Sequence, residues 1–187
     1  MAEEISKKIK RKKWITILPS EHFRVPEIGE TLTAEPSKLV GKTVSVSLMD
    51  LTRDPKRQNL KITFKITQVK DNKALTEVKR YEMIPSSVKR LVRTGKSKVD
   101  SSLKFETKDK VKIIIKPVLI TKSKTTNSVL AKLRKETESY ISNFVKKNDF
   151  SEVFGQILGF KLQNQLKFHL KKIYPVSMCH IRVLEKQ

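Results

Sequence analysis

Few residues in this chain are placed to do chemistry. Thr94-Gly95-Lys96-Ser97 resembles the end of a phosphate-binding loop, but the full motif needs a glycine five residues before Gly95, where Arg90 stands. The segment therefore reads as a basic turn that can touch a phosphate rather than a nucleotide-binding loop. His22, His169 and His180 are far apart, with no spacing that suggests a metal site or a nucleophile–base pair. His169 falls on an apolar helical stretch, at a core margin, and His180 on the strand face opposite Cys179. Cys179 is the single cysteine, which excludes an internal disulfide and a cysteine-rich zinc site. It reads as a small buried hydrophobe in a reducing compartment. Asp50, Asp54 and Asp100 read as ion-pair partners, with Asp50 also N-cap-like before Leu51-Thr52.

The chemistry present in bulk is positive charge. The 187 residues carry 41 Lys and Arg against 19 Asp and Glu, a net charge of +22. A polyanionic partner relieves that self-repulsion, nucleic acid before an anionic membrane or an acidic protein. The excess is uneven. Residues 89–124 hold twelve basic and three acidic groups, and residues 1–14 hold six and two. Between them, residues 15–37 hold one basic and four acidic groups. Lysines number 32 and arginines 9, a balance that favours phosphates over base edges. Trp14 directly follows the run Lys12-Lys13. It could stack on a base, but its favoured role is to anchor the start of the core and lay the tail on RNA.

These groups need a scaffold, and the chain has one. Leu, Ile, Val and Phe make up 57 of 187 residues, about 30% and well above the disordered range. No apolar run approaches the roughly 18 residues of a membrane span. The basic N-terminus has no apolar stretch behind it and does not read as a secretory signal. Trp14–Leu18 reads as a short strand and 20–37, with Pro26, Gly29 and Pro36, as an extended loop. Thr43–Met49, Leu60–Val69 and Ala74–Tyr81 alternate as half-buried antiparallel strands. Pro85 opens a short helix to about Arg93. Leu103–Thr107 and Val111–Thr121 flank the Lys108-Asp109-Lys110 turn. The apolar run in the second of these predicts a central strand, and Pro117 then requires a bulge or an edge. Helical spacing runs from Asn127 to about Lys147. It resumes after the capping box Asp149–Glu152, is divided by Gly155 and Gly159, and ends at Pro175. Val176–Leu184 is a last strand with Cys179, Ile181 and Val183 on one face. The eight phenylalanines fall mostly on apolar faces and read as core. Strands, then helices, then one returning strand make an α+β domain over 14–187 behind a basic tail, 1–13.

Ordered landmarks run over nearly the whole chain: Lys12-Lys13-Trp14, Ile28-Gly29-Glu30-Thr31, Val46–Leu51, Lys65-Ile66 with Val69, Leu75-Thr76, Val88 with Leu91-Val92-Arg93, Ser97–Asp100, Thr107-Lys108-Asp109, Lys116-Pro117-Val118, Ile173-Tyr174-Pro175 and Ile181-Arg182-Val183. In these the chain resembles the 3Ae family of small-subunit ribosomal proteins, the archaeal and eukaryotic type, in its compact archaeal-like form. It departs from that pattern at Arg80–Ser87, where the family carries a Gly-Met-Asp-Leu-Thr-Arg-Asp-like segment. It departs again at Lys110, where glycine is common. The resemblance implies an antiparallel β-barrel-like core with packed C-terminal helices and a returning strand. It implies a structural, non-enzymatic component of the cytoplasmic ribosome without a cofactor. It implies a seat on the small-subunit platform near the mRNA exit and the rRNA 3′ end, with neighbouring small-subunit ribosomal proteins as partners and mRNA as a further one. No membrane and no small-molecule substrate is expected.

The expected RNA-binding residues are Lys7, Lys8, Lys10, Arg11, Lys12, Lys13 and Trp14 in the tail. Lys89, Arg90, Arg93, Lys96 and Lys98 follow on the short helix and turn. Lys122 and Lys124 stand before the long helix, whose free N–H groups can also receive a phosphate. The alternative function is a protein-interaction or assembly module acting in translation without a stable RNA site. An enzyme would need a cofactor loop or a converging acid–base set, and the sequence displays neither.

Overall fold

The computed structural model describes residues 11–187 except 21 and 24. Among these residues the elements run β1 (Lys13–Ile17), β2 (Gly29–Thr33), β3 (Thr43–Ser47), α1 (Leu48–Thr52), β4 (Leu60–Lys70), β5 (Lys73–Met83), α2 (Pro85–Leu91), β6 (Lys98–Asp100), β7 (Leu103–Glu106), β8 (Lys112–Thr121), α3 (Asn127–Lys147), α4 (Phe150–Leu158), α5 (Lys161–Leu170) and β9 (Val176–Lys186). The β4–β5 hairpin follows from alternation. Leu60, Ile62, Phe64 and Ile66 are buried while Lys61 and Lys65 are exposed. Asp71 and Asn72, both with positive φ, make the two-residue turn whose twist suits a hairpin. At the β7–β8 turn Lys110 has φ 59°, a conformation glycine adopts at no steric cost. The glycine that the family resemblance implies at this position fits that conformation.

The strand expected to end at Met49 stops at Ser47. The Ser47 hydroxyl accepts from the Met49 N–H and caps α1, so Ser47 and not Asp50 is the N-cap. The expected loop 20–37 contains β2, which pairs with β1. Residues 98–100, not expected as a strand, pair with β8 as β6. Helix α3 buries Leu133, Thr137, Ile141 and Val145, and the Thr137 hydroxyl is satisfied by the Leu133 carbonyl at 2.7 Å. Helix α4 opens on the expected capping box, with the Glu152 carboxylate accepting the Asp149 N–H at 3.4 Å. Gly155 stays inside α4. The break falls at Gly159–Phe160, where Phe160 takes the left-handed conformation.

The fold is α+β, but the sheet is open rather than a barrel. One edge of β5 pairs with β4, and β4 pairs with β3. The other edge of β5 is divided. Its start pairs with β1 in parallel at Lys73 and Ala74, and its end pairs with β9 in antiparallel fashion at Arg80–Glu82. Strand β9 continues to β8, whose far edge is itself divided between β7 and β6. A sheet that forks into arms at β5 does not bring its outer strands together, which closure requires. A large core cluster fills the space between the sheet and α3–α5. A smaller one of Ile15, Ile17, Leu39, Ile66 and Ala74 sits under the β1–β2 arm. No helix of the described residues is long and apolar enough to cross a membrane.

Pro117 lies within β8, which has neighbours on both sides. The ladder to β9 shifts register between Lys116 and Pro117, which pair with Val183 and Ile181. On the other edge Pro117 falls between the last β7 partner, Ile115, and the first β6 partner, Val118. Its missing N–H is thus accommodated by the expected bulge.

Candidate nucleic-acid interface

The densest basic stretch folds back on itself through Thr121. Its hydroxyl, on a fully buried side chain, accepts the Ser97 N–H at 2.9 Å and donates to the Ser123 carbonyl at 2.7 Å. The Thr121 N–H bonds the Ser97 carbonyl at 3.0 Å, and the Thr125 N–H bonds the Ser97 hydroxyl at 3.2 Å. Gly95, with φ 79°, supplies the left-handed turn residue that lets the chain enter this clasp. The clasp sets Lys96 and Lys98 beside Lys122 and Lys124, although 24 or more residues separate the two pairs. Lys98, Lys122, Lys124 and Arg93 are exposed. The Lys96 ammonium is held at 3.5 Å from the Ser177 hydroxyl. The turn is therefore a fixed basic corner just before α3.

Next to this corner is a cleft of about 290 Å³ whose lining includes Arg80, Glu82, Lys89, Lys98, Lys116 and Arg182. Sequence reasoning found two of the five cations, Lys89 and Lys98. Arg80 comes from β5, Lys116 from β8 and Arg182 from β9. The bulge at Pro117 makes Arg182 the unpaired extra residue of β9, and bulges re-aim side chains in this way. The Lys116-Pro117 dipeptide was the available signal, since it announced a bulge without saying which partner residue the bulge would free. Carboxylates hold the guanidinium groups in place. Arg80 is 3.1 Å from Glu82 and 3.8 Å from Glu185, and Arg182 is 3.5 Å from Asp100. Asp100 also pairs with Lys98 at 3.3 Å. Lys89 and Lys116 form no ion pair among the described residues.

The N-terminal group stands apart. Arg11, Lys12 and Lys13 are exposed, and Lys7, Lys8 and Lys10 lie outside the described residues. Strand β1 joins β5 at Ala74 and β9 joins it at Tyr81, about 20 Å away at the usual rise per residue. Trp14 does not anchor the core. It is 62% exposed, while its neighbours Ile15 and Ile17 are buried, because alternation along β1 turns Trp14 outward. Its cross-strand partner is Leu32, also exposed. Arg90 is exposed on α2 and, among the described residues, bonds only the nearby Ser86 carbonyl.

The remaining reactive types are structural. Burial pushes the Cys179 thiol up to about 12, against a smaller opposite effect of the Lys167 charge. Burial, and then the same lysine, lower the His180 pKa. His169 is partly exposed and bonds the Glu136 carboxylate at 2.6 Å. Asp54 and Asp100 form the expected ion pairs, with Arg57 and with Lys98 and Arg182. Asp50 forms none among the described residues. Phe168 departs from the expectation that phenylalanines are core, being 73% exposed on α5. No three His, Cys, Asp or Glu side chains of the described residues are grouped to hold a metal ion.

The chain matches the model of the ribosomal S3Ae family over residues 2–186. It is 33% identical over 180 residues to the small ribosomal subunit protein eS1 of Halorubrum lacusprofundi, covering 96% of this chain and 84% of that protein. It is similarly 33% identical over 173 residues to the eS1 protein of Nanoarchaeum equitans, covering 92% and 87%. To the eS1 protein of Methanothermobacter thermautotrophicus it is 30% identical over 180 residues, covering 95% and 92%.

Proposed function

The chain belongs to the ribosomal S3Ae family, and from that premise we propose that it is a structural component of the small ribosomal subunit that binds small-subunit rRNA through its basic surfaces. The observation that carries this reading is the clasp of Ser97 on Thr121 and Thr125, which gathers Lys96, Lys98, Lys122 and Lys124 at one corner. Fixed cations without equal numbers of carboxylates suit a phosphate backbone. The predominance of lysine fits backbone contact rather than base reading. The role assigns no catalytic centre and no cofactor. The relatives named as small-subunit proteins support neighbouring ribosomal proteins as partners. The platform near the mRNA exit and the rRNA 3′ end is the position proposed on the family resemblance, with mRNA as a further contact.

The test uses the full chain and purified archaeal small subunits. An integral component remains with the subunits through a high-salt wash, whereas a transient assembly or interaction module leaves. Free protein should bind small-subunit rRNA with an affinity that falls steeply with salt. Affinity unchanged between low and physiological salt would overturn the electrostatic basis of the reading.

A further inference from the structure

We propose that the cleft between α2 and the outer face of β5, β9 and β8 is a built seat for an RNA backbone phosphate, centred on Lys89, Lys116, Arg80 and Arg182. This inference rests on the rRNA-binding reading and adds to it three contact residues, Arg80, Lys116 and Arg182, from three different strands. Two features distinguish the cleft from a merely basic surface. First, its cations are of two kinds. The guanidinium groups of Arg80 and Arg182 are oriented by Glu82, Glu185 and Asp100, whereas Lys89 and Lys116 keep their ammonium groups free of carboxylates among the described residues. An oriented fork beside uncompensated point charges is the arrangement that binds an oxyanion well.

Second, the Nε–H groups of Arg80 and Arg182 are shielded from solvent and reach no acceptor among the described residues, although each side chain is 35% exposed overall. A buried donor without an acceptor is costly. Both arginines with this feature line the same cleft, and a small turn of either side chain toward the cleft would give its Nε–H the acceptor oxygen of a phosphate seated there. Pro117 ties the seat to the sequence. Its bulge frees Arg182 from a paired position, and Lys116, the residue beside it, lines the cleft too.

The test compares the full-chain protein with Lys89→Gln/Lys116→Gln and with the charge-matched control Lys132→Gln/Lys135→Gln, exposed on α3. Binding to transcribed small-subunit rRNA is measured over a salt series. Neither cleft lysine has an ion pair to lose among the described residues, so the fold should survive. The expected result is an affinity loss of about tenfold or more for the cleft variant, the size of a lost charged hydrogen bond. Its salt slope should be shallower by about 0.7 per phosphate lost, and the control should lose less. In the unsubstituted protein, the Arg80 and Arg182 Nε–H resonances should shift when an rRNA fragment is added. Equal losses in cleft variant and control, or Nε–H resonances that do not move, overturn the seat while leaving rRNA binding in place. Shifts with inorganic phosphate but not with the rRNA fragment overturn the RNA assignment. No rRNA binding by the unsubstituted protein overturns both readings.

Discussion

The two arms that share one edge of β5 both carry exposed or clustered cations, yet they hold them differently. The β9–β8 arm lies against the large core and carries its cations on side chains fixed by carboxylates, by the Thr121 clasp and by a bulge. The β1–β2 arm rests on five buried residues and meets β5 at only two paired positions. Its cations Arg11, Lys12 and Lys13 are exposed. The densest charge in sequence therefore supplies only part of the charge of the cleft. Residues 89–124 supply Lys89, Lys98 and Lys116 to the cleft, while Arg80 and Arg182 arrive from outside that stretch. A cation whose position is already fixed loses less freedom on binding, so the two arms should fail in different ways.

The largest effects should come from the cores beneath the arms. Phe154→Ala removes a fully buried ring that packs on Phe23 and should cost about 3–5 kcal/mol, shifting the whole denaturant transition. Ile15→Ala, in the small cluster, should cost about 2–3 kcal/mol. Its loss should appear first as faster amide exchange in β1 and β2, with β8 and β9 still protected, because weakly attached units open independently. If β8–β9 amides lose as much protection as β1–β2 amides, the arms are one cooperative unit and the contrast fails.

What could be read without coordinates follows the same division. Strands β4 and β5 declared themselves because one face is buried along most of their length. Helices α3 and α4 did so through spacing and a capping box. Strands β2 and β6 did not, since five residues with no buried face and three residues carry too little pattern; their pairing comes from β1 and β8. Trp14 was misassigned although alternation with Ile15 and Ile17 contained the answer. Arg80 and Arg182 were invisible as site residues for another reason. Only the forked sheet, together with the bulge at Pro117, brings them to Lys89 and Lys116.

A smaller change should separate the fixed corner from the core. Thr121→Val keeps the shape but leaves the half-buried Ser97 N–H without its acceptor at 2.9 Å, which should cost about 1–3 kcal/mol. It should also weaken rRNA binding, since the turn that places Lys96 and Lys98 loses its fastening. Unchanged rRNA affinity in a folded Thr121→Val protein would mean that the clasp does not organise binding.

A pH series examines β9 with a gentler perturbation. His180 is kept neutral, first by burial and then by the Lys167 charge, and its Nδ1 has no partner among the described residues. Its folded pKa lies below its unfolded one, so the unfolded chain binds the extra proton. Its contribution to stability is thus complete above about pH 6.5 and is lost as pH falls below that value. Urea midpoints of His180→Gln between pH 7 and 5 should show a flatter dependence than those of the unsubstituted protein. Parallel curves would remove His180 from the account of the arm.

The smallest effect on folding, and the sharpest on the contrast, belongs to Arg11→Ala/Lys12→Ala/Lys13→Ala. These side chains are exposed, so stability should move by no more than about 0.5 kcal/mol. Binding should nevertheless change in a particular way. Three point charges on single-stranded phosphates correspond to a salt slope shallower by up to about 2. The affinity difference should therefore be greatest at low salt and shrink as salt rises. An Arg80→Lys/Arg182→Lys variant keeps the charge of the cleft but loses its oriented forks, so its affinity difference should persist at high salt, because oriented donors act beyond counterion release. If the two variants lose affinity in parallel across the salt series, the fixed and the exposed cations bind in the same way. The distinction between the two arms would then be one of stability alone.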